Sequence, residues 1–120
     1  MNLRAIEAKA YVPAQDFSLS RRFYRDLGFA EEWCAADLAL FRRDGAGFLL
    51  QNFHAPEHAT NFQMHLLVAD VDAWWQSVQS SGVIDRYLVR AEAPEDRPWG
   101  MRDFVLFDPS GVLWRIGQSL

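Results

Sequence analysis

Apolar and polar residues alternate along the chain in a way that predicts strands and helices in a repeated order. Residues 3–12 alternate with a period of two, which predicts a strand that Pro13 ends. Asp16 then precedes an apolar stripe with helical spacing, and Gly28 follows it, so a helix is predicted between these two residues. Short apolar runs predict three further strands at about 29–34, 37–43 and 47–53.

The same order returns in the second half of the chain. A strand is predicted over 62–68, and a helix is predicted between Asp70 and Gly82, with apolar residues at helical spacing. Strands are then predicted near 86–91, 101–107 and 112–117. The halves are joined by a polar connector over 54–61, in which Pro56 argues against a regular helix, and 92–100 is predicted to be an irregular loop.

Two turns show the repetition most directly. The segment Asp44-Gly45-Ala46-Gly47-Phe48-Leu49-Leu50-Gln51 corresponds to Asp108-Pro109-Ser110-Gly111-Val112-Leu113-Trp114-Arg115. A unit used twice in a small domain predicts a pseudo-twofold architecture. We therefore expect one α+β domain over residues 1–120, built from two β-α-β-β-β modules over about 1–55 and 60–120 that are related by pseudo-twofold symmetry.

The composition limits the classes of partner. Twelve basic and sixteen acidic residues give a formal net charge of −4, which argues against nucleic acid or an anionic membrane and favours a neutral or cationic ligand. The single Cys34 cannot form an internal disulfide, as is typical of a reducing cytoplasm. No apolar run is long enough for a signal peptide or a membrane span, so we expect a cytoplasmic protein.

The ordered set of motifs resembles the vicinal oxygen chelate superfamily, which includes glyoxalase I, bleomycin-resistance proteins and extradiol dioxygenases. The motifs that carry the resemblance are Ser20-x-x-Phe23-Tyr24-x-x-Leu27-Gly28-Phe29, Pro98-Trp99-Gly100 and Asp108-Pro109-Ser110-Gly111. The resemblance implies that the sheets curl into half-barrels around a ligand cavity, and that the protein forms a homodimer. It does not determine the chemistry, because the same scaffold serves isomerases, dioxygenases, transferases and binding proteins.

Metal-dependent members of this superfamily place His or Glu on the first strand of each module and on the last strand of one or both modules. The corresponding positions in this chain are Glu7, Gln63, Gln51 and Arg115, and counting from the first helix puts Lys9 in place of Glu7. A permanently charged guanidinium and two amides are unsuitable ligands for a divalent transition metal. We therefore expect no metal and no other cofactor.

Two of these four positions carry opposite charges that could compensate each other in the cavity. Glu7 and Arg115 are expected to form an ion pair across the cavity, either as a structural pair or as a group that recognises a polar ligand. His65 shares a strand face with Gln63, which makes it a candidate for ligand contact or proton transfer; the alternative is a histidine hydrogen-bonded within the barrel wall.

Two tryptophans are candidates for stacking on a planar ligand. Trp33 and Trp99 both lie away from the predicted helix faces, and Trp99 ends the predicted long loop. Ordinary packing is the alternative for each. The preferred interpretation is a metal-independent binding protein that sequesters a small, partly planar molecule. The alternative is a lyase, isomerase or dioxygenase of the same superfamily with altered active-site residues, either metal-binding or metal-free, in which His65 and Glu7 are the catalytic candidates.

Overall fold

Each half of the chain forms its own four-stranded sheet in a computed structural model that describes residues 1–120. The first half contains β1 (Tyr11–Ala14), α1 (Phe17–Leu27), β2 (Ala30–Cys34), β3 (Leu38–Arg43) and β4 (Ala46–Asn52). The short helix α2 (Pro56–Asn61) joins the two halves. The second half contains β5 (Gln63–Leu67), α3 (Val71–Ser81), α4 (Val83–Tyr87), β6 (Ala91–Arg97), β7 (Met101–Phe107) and β8 (Leu113–Ser119).

The two sheets have equivalent topologies. Their strand orders are β1-β4-β3-β2 and β5-β8-β7-β6, and in each sheet the first strand runs parallel to the last. Neither sheet closes on itself. The predicted α+β fold with two repeated modules is confirmed.

The main helix of each module is capped as the sequence predicts. Asp16 accepts a hydrogen bond from the backbone N–H of Leu19, and Asp70 accepts the equivalent bond from Ala73. Gly28 and Gly82 end these helices in the left-handed conformation, which glycine adopts without steric penalty. No helix of the protein is both long and apolar enough to cross a bilayer.

One face of each sheet packs into a hydrophobic core that the two modules share. The aromatic centre of this core joins α1 and β4 of the first module to β8 of the second: the ring of Trp114 lies 5.3 Å from that of Phe48 and 5.8 Å from that of Tyr24. These three side chains are almost completely buried. The opposite face of each sheet is not covered by a helix, and it carries the candidate residues described below.

The first strand, β1, begins and ends later than the strand predicted over residues 3–12, so this prediction was wrong at both ends. Only Tyr11–Ala14 pairs with β4, and residues 1–10 leave the sheet as a largely exposed segment without regular secondary structure. Pro13 lies inside the strand instead of ending it. Because β1 is an edge strand, the N–H that proline lacks is not needed by a second neighbour.

Three predictions in the connecting segments were also wrong. Residues 56–61 form α2, because Pro56 occupies the start of the helix, where its missing N–H costs nothing. No strand begins near residue 86: residues 86 and 87 end the helix α4, which follows Gly82 directly, and β6 begins only at Ala91. The predicted loop over 92–100 is mostly β6, an edge strand whose register shifts between Glu92 and Glu95, and only residues 98–100 form a turn.

Candidate functional site

The uncovered face of the first sheet is mainly apolar. The strand register places Trp33, Leu40, Leu49 and Tyr11 in one row across β2, β3, β4 and β1. Gln51 lies in the next row. Trp33 and Tyr11 are about half exposed, at 45% and 52%. This row is an accessible apolar shelf with an aromatic side chain at each end.

The uncovered face of the second sheet carries more polar groups than the first, among apolar side chains such as Leu67. The register places His65 beside Arg115 and Arg115 beside Val105, on β5, β8 and β7. The next row contains Leu67, Gly117, Asp103 and Glu95. His65 and Gln63 are both exposed on this face.

Asp103 is a buried carboxylate on this polar face, held between two arginines. Its Oδ1 accepts a hydrogen bond of 2.9 Å from Nε of Arg97. A terminal nitrogen of Arg115 lies 3.5 Å from the same oxygen and makes a weaker hydrogen bond. The side chain of Asp103 is 3% exposed, that of Arg97 19% and that of Arg115 37%. The burial of Asp103 thus depends mainly on Arg97, and Arg115 reaches the carboxylate only weakly.

Gly117 makes room for the Asp103 carboxylate. A Cβ atom at Gly117 would lie 2.9 Å from Cβ of Asp103 and 3.0 Å from the carbonyl oxygen of Arg102. Both distances are shorter than ordinary van der Waals contact. The absence of a side chain at this position therefore lets Asp103 lie against β8.

Glu7 lies in the N-terminal segment, against Arg42 of the first sheet, and has different partners from those expected. It accepts hydrogen bonds from both terminal nitrogens of Arg42, at 3.1 and 3.0 Å, and its carboxylate is 2.8 Å from Nζ of Lys9. The hydrogen bonds from Arg42 and Lys9 lower the pKa of Glu7 to about 2. Glu7 is therefore held as a carboxylate at neutral pH and is a poor proton donor.

The predicted ion pair between Glu7 and Arg115 is absent. Glu7 pairs with Arg42 and Lys9, whereas Arg115 pairs with Asp103. The expectation was wrong because it assumed that the four superfamily positions converge on one cavity. Instead, Gln51 lies on the first sheet, Glu7 is bound to Arg42 of that sheet, and Gln63 and Arg115 lie on the second.

His65 and Glu7 do come together, at a small cavity between the modules. This cavity has a volume of about 200 Å³ and is also lined by Phe29, Met64 and Trp114. His65 also lines a larger groove of about 680 Å³ between the β3–β4 turn and the start of α3. In this groove the guanidinium of Arg43 lies 4.5 Å from the ring centre of Trp74.

The tryptophans proposed for stacking lie outside these cavities. Trp33 ends the apolar shelf, and Trp99 lies in the turn between β6 and β7, where it is 61% exposed. The important residues that sequence reasoning missed are Asp103 and Arg97. A signal for Asp103 was present, because it is the one acidic residue in the otherwise largely apolar strand 101–107.

The model of the Glyoxalase/Bleomycin resistance protein/Dioxygenase superfamily matches residues 8–116. The chain belongs to this superfamily. A bleomycin resistance protein of Klebsiella pneumoniae is 29% identical over 119 residues, covering 94% of this chain and 92% of the relative.

Solved structures show the same similarity. A bleomycin-binding protein in complex with bleomycin superposes with a TM-score of 0.83 at 26% identity, covering 97% of this chain and all of that one. A bleomycin resistance determinant encoded on transposon Tn5 gives a TM-score of 0.82 at 25% identity, covering 96% and 98% of the two chains.

The residues of this superfamily member do not fit the divalent metal that other members use. The four corresponding positions offer one carboxylate, two amides and a guanidinium, and the carboxylate of Glu7 is already paired with Arg42 and Lys9. No group of three or more His, Cys, Asp or Glu side chains is arranged to hold a metal ion. The donor set is therefore unsuited to metal-dependent chemistry of the superfamily.

Proposed function

We propose that this protein is a metal-independent binding protein that sequesters a small, partly planar molecule on the uncovered faces of its two sheets. The proposal rests chiefly on the contrast between these faces: one is an apolar shelf between Trp33 and Tyr11, and the other is a polar surface around Arg115. Ligand sites typically combine an apolar wall with a few polar groups that set orientation. The bleomycin-binding relatives support a binding role.

Each candidate residue has a proposed contact in this site. Trp33 and Trp99 stack on the planar part of the ligand, and Tyr11 extends the shelf at the far side of the sheet. The remaining candidates supply polar contacts: Glu7 and Gln51 lie beside the apolar shelf of one protomer, and Gln63, His65 and Arg115 lie on the polar face that its partner contributes in the homodimer proposed below.

We further propose that the protein acts as a cytoplasmic homodimer whose partners are small molecules, with neither nucleic acid nor a membrane as a partner. The exposed apolar side chains of residues 1–10, among them Leu3 and Ile6, support association of two chains. The unpaired edges of the sheets support it as well. Sedimentation equilibrium at micromolar concentration should give the mass of a dimer, and a monomer would contradict this part of the proposal.

The binding role is tested by calorimetric titration with bleomycin, the ligand of the solved relative. We expect saturable binding without turnover. Trp33→Leu and Trp99→Leu should each weaken it by about tenfold, since loss of a stacking aromatic removes roughly 1 kcal/mol or more. Phe53→Leu is the matched control, because Phe53 is exposed to a similar degree, 46%, but lies beyond the end of β4, where its ring centre is 6.2 Å from that of His58.

A catalytic alternative has one observation in its favour, the presence of His65 and Glu7 at the same small cavity. In this alternative the two side chains act as acid and base in a glyoxalase-like or dioxygenase-like reaction. The low pKa of Glu7 makes its carboxylate a weak base, which disfavours that role. Turnover of methylglyoxal hemithioacetal or of catechol that is lost on His65→Ala would establish the enzyme and overturn the binding proposal.

A further inference from the structure

Arg115 has more hydrogen-bonding capacity than the protein uses. A guanidinium carries five N–H donors, and the one protein contact of this side chain is at 3.5 Å to Asp103. The other arginine at this carboxylate, Arg97, is better matched, because it binds Asp103 at 2.9 Å and Glu95 at 3.0 Å. Arg97 therefore makes the stronger contact with Asp103, and most of the donors of Arg115 remain free.

The surroundings leave those donors accessible from the uncovered face of the second sheet. The side chain of Arg115 is 37% exposed. Its neighbour in the adjacent row is Gly117, which has no side chain to cover it, and its neighbour on β5 is the exposed His65. A ligand atom can therefore approach the guanidinium between His65 and the position of Gly117.

We infer that Arg115 is an anion subsite that binds a carboxylate of the ligand, with His65 as a neighbouring hydrogen-bonding group. This inference rests on the proposed binding function and specifies the class of ligand: a planar molecule with a carboxylate group, instead of the neutral or cationic ligand that the net charge favours. A planar guanidinium can bind a carboxylate through two parallel hydrogen bonds.

The nearby acidic group explains why a carboxylate is preferred to a phosphate. Asp103 lies within 3.5 Å of Arg115, so it offsets part of the positive charge that an incoming anion meets. A singly charged carboxylate matches the remaining charge of one guanidinium. A doubly charged phosphate would be repelled more strongly by Asp103 and has no second free arginine to bind.

The test compares aromatic probes that differ only in their polar group. The full-length protein is titrated by calorimetry with 2-naphthoate, 2-naphthamide and 2-naphthyl phosphate, and with bleomycin to assay the proposed function separately. We expect 2-naphthoate to bind about tenfold more tightly than 2-naphthamide, the effect of roughly one charge-assisted hydrogen bond. Arg115→Gln should abolish this preference, and Arg115→Lys should retain only part of it.

Arg90→Gln is the matched control. Arg90 lies at the margin of the same sheet over the ring of Phe107, and its guanidinium is paired with Glu92. This variant should keep the preference for 2-naphthoate. Thermal unfolding of each variant without ligand verifies that the fold is intact.

The possible outcomes separate the two proposals. Equal binding of 2-naphthoate and 2-naphthamide, tighter binding of the phosphate, an unchanged preference in Arg115→Gln, or binding of bleomycin alone overturns the anion subsite and leaves the binding function in place. If neither bleomycin nor any naphthalene probe binds, both proposals fail. A preference for 2-naphthoate that disappears in Arg115→Gln but not in Arg90→Gln supports the subsite.

Discussion

The hydroxyl of Tyr24 donates a hydrogen bond of 2.5 Å to Oδ2 of Asp108, and so connects α1 of the first module to the turn before β8 of the second. The same hydroxyl accepts a hydrogen bond of 2.9 Å from the indole N–H of Trp114. Asp108 also accepts from the backbone N–H groups of Ser110 and Val112. Burial raises the pKa of Tyr24, so its hydroxyl remains protonated. This network fixes the two modules to each other within the core.

The first prediction concerns the pH dependence of stability. Burial raises the pKa of Asp108 from 3.8 to about 6. The folded state therefore binds this proton more tightly than the unfolded state, so the stabilisation is complete below about pH 4 and is lost as pH rises through about 6, by roughly 3 kcal/mol. Asp108→Asn should remove this dependence, as measured by urea unfolding between pH 4 and 8.

The comparison with Asp108→Asn isolates this group from other carboxylates. Glu7 and Glu31 have lowered pKa values, so their contribution to stability increases as pH rises from acidic values. This contribution is the same in the parent and in Asp108→Asn. The difference in unfolding free energy between the parent and the variant should thus fall as pH rises from 4 to 7. Parallel pH profiles would mean that Asp108 titrates normally.

The second prediction is that Tyr24→Phe destabilises the protein by roughly 1–3 kcal/mol, because the variant leaves the buried indole N–H of Trp114 without an acceptor. It also removes a hydrogen bond that lowers the pKa of Asp108, so that pKa should rise further. Chemical unfolding measures the loss of stability. The pH dependence of the unfolding free energy reports the change in the pKa of Asp108. Tyr87→Phe is the control, since its hydroxyl bonds to Asp26 at the surface, and it should cost less.

The third prediction concerns the space beside Asp103. Gly117→Ala should destabilise the protein by about 1–3 kcal/mol, because the new methyl group would overlap Cβ of Asp103 and the backbone of β7. Gly45→Ala is the control, since a Cβ there would meet no atom within 4 Å. Thermal and urea unfolding should separate the two variants. Equal stabilities would show that the strands adjust to the added group without strain.

The fourth prediction distinguishes the two arginines that contact Asp103. Arg97→Ala should cost roughly 1–3 kcal/mol, because it leaves the buried carboxylate with only the weak contact to Arg115. Arg115→Ala should cost less than about 1 kcal/mol, as is typical of a partly exposed pair. Urea unfolding of both variants checks the order. The reverse order would assign the structural role to Arg115 and remove the basis for a ligand contact there.

The elements that could be predicted from sequence are those fixed by local signals. Asp16 and Asp70 begin the main helices, and Gly28 and Gly82 end them, because capping depends on residues within one turn. The ends of β1 and the identity of β6 could not be predicted in this way. Both are edge strands, in which proline and charged residues are tolerated, so their sequences lack the usual alternation.

The candidate site was predictable only in part. The repeat predicts that Gln51 corresponds to Arg115, and each follows a buried residue, Leu50 or Trp114, on the last strand of its module. What the repeat could not reveal is that equivalent positions lie on separate sheets with separate partners. Asp103 was missed for a similar reason: its contacts with Arg97 and Arg115 depend on how three strands are aligned.

Because each sheet is built from one half of the chain, the connection between the halves is not needed for strand pairing. Every strand ladder lies wholly within one half, so a cut in the segment between Asn52 and Pro56 would interrupt no strand pairing. The two fragments would still share the aromatic core and the hydrogen bond between Tyr24 and Asp108. The protein is thus suited to fragment complementation, in which separately produced halves reassemble and report on each other's presence.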